Sequence, residues 1–182
     1  MFLSDGVVSL RPIHVSDLTL LARWRNESEL RTRTREFRPL TERDQTEWLQ
    51  RISGPHRTDF MFIADAEVSF GVFGLCHWSP RDRTAEVSFY VGDVGMRGRG
   101  HARRGIGLLH KYGFQELGLD RIWAEVYEFN DASVGLLETL GYAREGQLRK
   151  HVFRNGVRCD SILMGILREE WHGGVRNQEP SV

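Results

Sequence analysis

Apolar and polar side chains alternate along three stretches in the middle of the chain, 60–65, 68–78 and 84–91, and such alternation predicts strands. Short turns near Ala66-Glu67 and at Ser79-Pro80-Arg81-Asp82 separate them, which is the spacing of an antiparallel meander. In the last stretch Ala85, Val87 and Phe89 fall on one face, and Glu86, Ser88 and Tyr90 on the other. A shorter strand over 7–10 is expected ahead of them, stopping at Pro12. Helical periodicity appears where Leu18, Leu20, Leu21 and Trp24 share a side, with Ser16 or Asp17 as the expected cap. Residues 26–38 are dense in Arg and Glu with little apolar period and read as a short surface helix and loop. Thr41-Glu42-Arg43-Asp44 has the form of a capping box, with Asp where Glu or Gln is usual, opening a helix to about Ile52.

The alternation breaks at Gly92-Asp93-Val94-Gly95-Met96-Arg97-Gly98-Arg99-Gly100. A helix is expected to follow this glycine-rich loop, from His101 or Ala102 to about Leu117. A strand over 121–127 comes next, then a helix capped by Asn130 or Asp131 that runs to Leu140 and closes on Gly141. Two last strands, 143–153 and 158–167, are joined through Asn155-Gly156, a strong hairpin signal. No repeat or linker divides the chain, so one domain over 1–171 with a polar, frayed tail over 172–182 is expected.

Charge changes this picture only locally. Lys+Arg and Asp+Glu both number 25, so no global field draws in nucleic acid or an anionic membrane, and any anion site must be built locally. Cys76 and Cys159 form no CxxC pair, which suits a reducing compartment. The first residues lack the basic-then-apolar form of a secretory signal, and no stretch approaches the roughly 20 apolar residues of a membrane span, so a cytoplasmic protein is expected. The seven histidines share no ligand spacing with each other or with the cysteines, and no metal is expected.

The local site is the loop itself. Arg97, Arg99, Arg103 and Arg104 stand among Gly98, Gly100 and Gly105 between a strand and a helix. A helix N-terminus offers unpaired N–H groups and partial positive charge, glycine lets a ligand approach the backbone, and arginines add charge-assisted hydrogen bonds. That combination calls for a ligand with several phosphates; the plainer alternative is a turn carrying solvated arginines. Ile106-Gly107 stands where a Walker loop needs Lys and Ser/Thr, and Arg103 stands at the third glycine of a dinucleotide fingerprint. ATP and NAD are thereby disfavoured.

Arg97-Gly98-Arg99-Gly100-His101-Ala102 resembles the pyrophosphate loop Q/R-x-x-G-x-G/A of the GNAT acetyltransferases. Ala85-Glu86-Val87-Ser88-Phe89-Tyr90-Val91 resembles the strand before that loop, and Asn130-Asp131-Ala132-Ser133 with Leu140-Gly141-Tyr142 the later helix motif. Leu10-Arg11-Pro12 and Trp24-Arg25-Asn26 are similar to the RimJ/RimL branch. The resemblance covers most of residues 7–171. It implies an α/β fold: a mixed, mostly antiparallel sheet of about six or seven strands, with helices on both sides, split where acetyl-CoA enters. It also implies cofactor contacts at Phe89, Tyr90, Val91, Arg97, Gly98, Arg99, Gly100, His101, Ala102, Arg103, Asn130 and Ser133, with an oxyanion donor among the backbone amides of 89–91.

For chemistry the resemblance implies direct transfer of acetyl to an amine. Glu86 is the expected base, a solvated or ion-paired strand glutamate being the alternative. Many such enzymes carry a Tyr acid seven residues after the helix-opening Asn; here that residue is Leu137, so Ser133 is the expected acid, against a simple capping role. The acceptor site is expected from the first two helices and last hairpin, with Trp24, Arg25, Asn26, Arg31, Phe37, Arg149, His151 and Phe153. A protein N-terminal amine is the first-choice acceptor, and a nucleotide-linked amino sugar, a polyamine or an aminoglycoside are alternatives. Two rivals come from other classes: a non-catalytic acyl-CoA sensor, and a nucleic-acid-binding module using the arginine loop, against which the neutral net charge and glycine pattern count. Neither nucleic acid nor membrane is an expected partner, and a homodimer is among the expectations.

Overall fold

The computed structural model describes residues 2–173; most of the expected polar tail, 174–182, lies outside the described residues. Eight strands form one sheet: β1 (Leu3–Ser4), β2 (Ser9–Pro12), β3 (Phe60–Asp65), β4 (Ser69–Ser79), β5 (Thr84–Val91), β6 (Arg121–Tyr127), β7 (Ala143–Arg154) and β8 (Val157–Leu167), in the order β1-β2-β3-β4-β5-β6-β8-β7. Every neighbouring pair is antiparallel except β5–β6, which is parallel and paired only at Thr84↔Arg121, Ala85↔Ile122 and Glu86↔Trp123. Beyond Glu86 the two strands part, and this split positions the site.

The expected alternation sets the layers. On one face Phe73, Leu75, Ala85 and Val87 pack against Ile106 and Leu109 of α4 (His101–Lys111) and Val134 and Leu137 of α5 (Asp131–Thr139). On the other, Ile63 and Val72 pack against Leu18, Leu21 and Trp24 of α1 (Leu18–Asn26) and Leu30 of α2 (Ser28–Thr32). A third helix on that side, α3 (Glu42–Ser53), opens on the expected capping box: Asp44 N–H donates to Thr41 Oγ1 (3.2 Å) and Thr41 N–H to Asp44 Oδ2 (2.7 Å). Each large side chain removed from water here contributes roughly 1.5–3 kcal/mol.

Four expectations need correction. The sheet has eight strands because a turn at Asp5-Gly6, whose Asp5 carboxylate accepts from the N–H groups of Val7 and Val8, folds Leu3–Ser4 back onto Ser9–Pro12. That turn also moves the expected 7–10 strand two residues on. Asp17 does not cap α1: its carboxylate is taken by Arg11 (2.8 and 2.9 Å) and the His14 N–H (2.8 Å). The helix after the loop is α-helical only to Lys111 and continues as a π-turn, Tyr112–Glu116, closed by Leu117 N–H donating to the Tyr112 carbonyl. Asn155-Gly156 behaves as expected, with φ of 50° and 82° in a two-residue hairpin turn. Among the described residues, no helix is long and apolar enough to cross a membrane.

Candidate active site

The hydrogen-bond phase of β5 determines which backbone groups line the split. Gly92 N–H donates to the Phe70 carbonyl (2.8 Å), and the register pairs Val72 with Tyr90 and Gly74 with Ser88. In an antiparallel ladder this places the N–H groups of Ser88 and Tyr90 on β4, and aims those of Phe89 and Val91 the other way. On that side β6 has already departed. Two backbone amides thus face the gap; the Val91 carbonyl there accepts from Arg97 Nη2 (3.3 Å).

The gap opens into a cavity of about 370 Å³. Every residue expected on the cofactor side lines it except Arg99. Gly98 and Gly100 have φ of 74° and 79°, and a Cβ added to either meets no protein atom within 4 Å. These glycines therefore serve the left-handed backbone and leave open space above it, as close approach of a pyrophosphate requires. α4 starts at His101, so its first N–H groups, which lack partners within the helix, lie beside that space. The arginines divide: Arg97 and Arg103 line the cavity, whereas Arg99 pairs with Glu67 (3.5 Å) and Arg104 with Asp5 (2.9 Å). Arg99 is thus the one residue expected at the cofactor that does not line this cavity, its side chain being paired outward. Arg97 also donates to Glu29 (2.7 Å) and holds that carboxyl below its usual range.

Asn130 stands at the N-cap of α5, but its side chain makes no cap hydrogen bond; its carbonyl accepts from the N–H groups of Ser133 and Val134. The Asn130 and Ser133 residues both line the cavity. Leu137, at the position where the resemblance implied a Tyr acid in many relatives, is fully buried in the core.

A second cavity, about 580 Å³, meets the first at Arg33, Thr34, Phe89, Tyr90, Asn130 and Ser133. Its lining includes two inward carboxylates, Glu86 of β5 and Glu125 of β6, with side chains only 4% and 13% exposed. Arg35, from the segment between α2 and α3, bridges them: both its terminal nitrogens donate to Glu86 (2.9 and 2.5 Å) and one reaches Glu125 (3.3 Å). These carboxylates raise the Arg35 pKa further, the hydrogen bond to Glu86 leading. A histidine completes each side, His77 Nδ1 on Glu86 (2.8 Å) and His151 Nδ1 on Glu125 (3.0 Å). Cys76 lies in the same lining, and burial pushes its thiol up to about 12, so it is not a thiolate nucleophile near neutral pH.

Of the expected acceptor residues, only Arg25 lines this cavity. Trp24 is buried flat against Gly92, where an added Cβ would fall 2.2 Å from the indole. Asn26 instead ties down the following loop, exchanging hydrogen bonds with Leu40 N–H and C=O (2.8 and 2.7 Å). Arg31, Arg149, Phe37 and Phe153 lie outside the lining, and His151 acts through Glu125. The hairpin reaches this region through Arg154, which donates to Tyr127 Oη (2.9 Å) and lies over the Phe37 ring. Arg35 and His77 were not foreseen because neither sits in a motif. Among the described residues, no group of three or more His, Cys, Asp or Glu could hold a metal ion.

Comparison with known proteins identifies the family and the fold. The acetyltransferase (GNAT) domain family matches residues 8–143. The SPbeta prophage-derived uncharacterized N-acetyltransferase YokL of Bacillus subtilis (strain 168) is 30% identical over 166 residues, 90% of this chain and 92% of its own. The spermidine N(1)-acetyltransferase of Escherichia coli (strain K12) is 31% identical over 112 residues, 62% of this chain and 59% of its own. The crystal structure of the spermidine N-acetyltransferase from Vibrio cholerae in complex with CoA and spermine has the same fold, with a TM-score of 0.84 at 24% identity, covering 91% of this chain and 98% of that one. The chain belongs to the GNAT family and is an N-acetyltransferase that takes its acetyl group from acetyl-CoA.

Proposed function

We propose that the acceptor is a small primary amine of the polyamine class, acetylated where the two cavities meet. The observation that carries this reading is the pair of inward carboxylates, Glu86 and Glu125, already holding a cation in the form of Arg35. A polyamine offers ammonium groups that can take the place of that guanidinium. The sequence relationship to the Escherichia coli spermidine enzyme supports the same class. The protein N-terminal amine implied by the RimJ/RimL resemblance takes second place, since no built feature of the second cavity distinguishes a peptide.

On the cofactor side, the amides of Phe89 and Val91, the loop of Gly98 and Gly100, Arg97 and Arg103, and the start of α4 hold acetyl-CoA. Bound there, it supplies an acyl group activated as a thioester. Amines arrive largely protonated near neutral pH, so one proton must leave before attack. Glu86 receives it, directly or through a water, once Arg35 has been displaced; while both its oxygens are engaged by the guanidinium it is a poor base. An N–H of Phe89 or Val91 donates to the carbonyl oxygen as negative charge develops there. Ser133 lines both cavities, and its hydroxyl relays a proton as the C–S bond breaks, giving its own to the departing sulfur and taking the second proton released by the attacking nitrogen. The protonated Cys76 gives no nucleophile for an acyl-enzyme, in keeping with direct transfer.

Release of the CoA thiol with spermidine, set beside release with a peptide bearing a free N-terminus, tests the assignment. Spermidine-dependent release with little from the peptide is expected. Saturable turnover of the peptide with none of spermidine, or of a panel of polyamines, would overturn it.

A further inference from the structure

We propose that His77 is a positioning residue for acetyl transfer, holding Glu86 in the orientation in which it receives the acceptor's proton. The inference rests on the reading of Glu86 as base. It begins from an irregularity in β4. The β4–β5 register runs regularly to Cys76↔Glu86 and resumes at Ser79↔Thr84, so His77 and Trp78 together oppose Ala85 in a bulge. Regular alternation would turn His77 away from the face that carries Cys76 and Glu86 and toward the α4 side. Instead its backbone adopts φ of 52°, in the left-handed region that a non-glycine residue occupies only under constraint. The departure brings the imidazole back to the cavity, with Nδ1 2.8 Å from Glu86 Oε2.

Three further elements hold that arrangement. The His77 N–H donates to Asp59 Oδ1 ahead of β3 (3.0 Å), and the ring stacks on Trp123 of β6 at 6.3 Å and 13°. Glu86 is itself held by β5. The Glu86 side chain is 4% exposed and that of His77 60%, so the imidazole forms the aqueous edge of a buried carboxylate. The other charged or titratable groups facing this pair are Arg35 on Glu86, Glu125 across Arg35, Asp59, and the Cys76 thiol.

An ionised carboxylate only accepts hydrogen bonds, so His77 must carry its proton on Nδ1. A neutral imidazole then fixes Oε2 without adding charge and leaves Oε1 for the acceptor after Arg35 moves away. His77 exchanges no proton with substrate in this scheme.

The test compares His77→Leu, His77→Gln and His77→Gly with Glu86→Gln, measuring kcat, KM for acetyl-CoA and Tm. His77→Leu is expected to lose ~10- to 100-fold in kcat, less than the full acid–base contribution, with KM for acetyl-CoA unchanged. His77→Gln, whose amide can donate to Oε2, is expected to recover most of that loss. His77→Gly releases the left-handed strain, so its Tm should hold or rise while kcat falls as in His77→Leu. Wild-type kcat in His77→Leu would overturn the inference, as would a kcat loss in all three variants that merely follows loss of Tm. Full turnover by Glu86→Gln overturns the base reading and this inference with it. An inactive Glu86→Gln beside a normal His77→Leu overturns the inference alone.

Discussion

At the scale of single residues, acetyl transfer depends on the different surroundings of Glu86 and Ser133. Glu86 is buried and ion-paired, as one of its two sequence readings allowed, yet it also lines the acceptor cavity. These properties are compatible only if Arg35 moves. Glu86→Gln should therefore lower kcat by roughly 10²- to 10⁴-fold while KM for acetyl-CoA stays near its wild-type value. Arg35→Gln should leave two neighbouring inward carboxylates uncompensated, lowering Tm at neutral pH, and added spermidine should restore more of that Tm than it adds to wild type. Thermal unfolding with and without spermidine decides this; equal spermidine shifts in both proteins would count against the displaced-cation scheme. Ser133→Ala should reduce kcat without weakening acetyl-CoA binding, which single-turnover kinetics beside calorimetry can separate.

At the scale of elements, β5 was legible from its alternation alone: Ala85 and Val87 reach the core, and Glu86 and Tyr90 face the other side. The β4 bulge, the π-turn after α4 and the unused cap at Asp17 were not legible, because each is decided by a partner distant in sequence or by packing. In α4, Gly105 lies so close to β4 that an added Cβ would fall 2.8 Å from the Phe73 ring. Alanine ordinarily improves a helix interior by roughly 0.5–1 kcal/mol, but overpacking a core costs about 1–3 kcal/mol. Gly105→Ala should thus be net destabilising, read as a lower urea midpoint. The same helix carries His110, buried, 2.9 Å from Tyr142 Oη, with a pKa that burial lowers from 6.5 to about 4. The folded state therefore holds it neutral while the unfolded chain takes up a proton below 6.5. Its contribution is complete above that pH and falls progressively toward pH 4, by on the order of 3 kcal/mol. His110→Phe should flatten that part of the stability–pH curve; an unchanged slope in a folded variant would remove the assignment.

At the scale of the whole molecule, the cofactor side was far more legible than the acceptor side. Most cofactor-lining residues come from one continuous strand and loop, 89–103, where glycine and arginine spacing carries a local signal, and Arg99 was the exception because Glu67 draws it outward. The acceptor side joins Arg35 to Glu86 and Glu125 across 51 and 90 positions, and no local pattern encodes such a meeting. Equal numbers of acidic and basic residues gave no help, because the deciding charges are a few inward groups. What unites the two sides is the parting of β5 from β6 after Glu86, which frees the amides of Phe89 and Val91 while leaving Tyr90 bonded to β4. Residue-resolved amide hydrogen exchange, with and without acetyl-CoA, tests this directly. The account expects new protection at Phe89, Val91 and the 98–102 loop, with Tyr90 unchanged; protection that spares Phe89, Val91 and the loop while appearing elsewhere would contradict it.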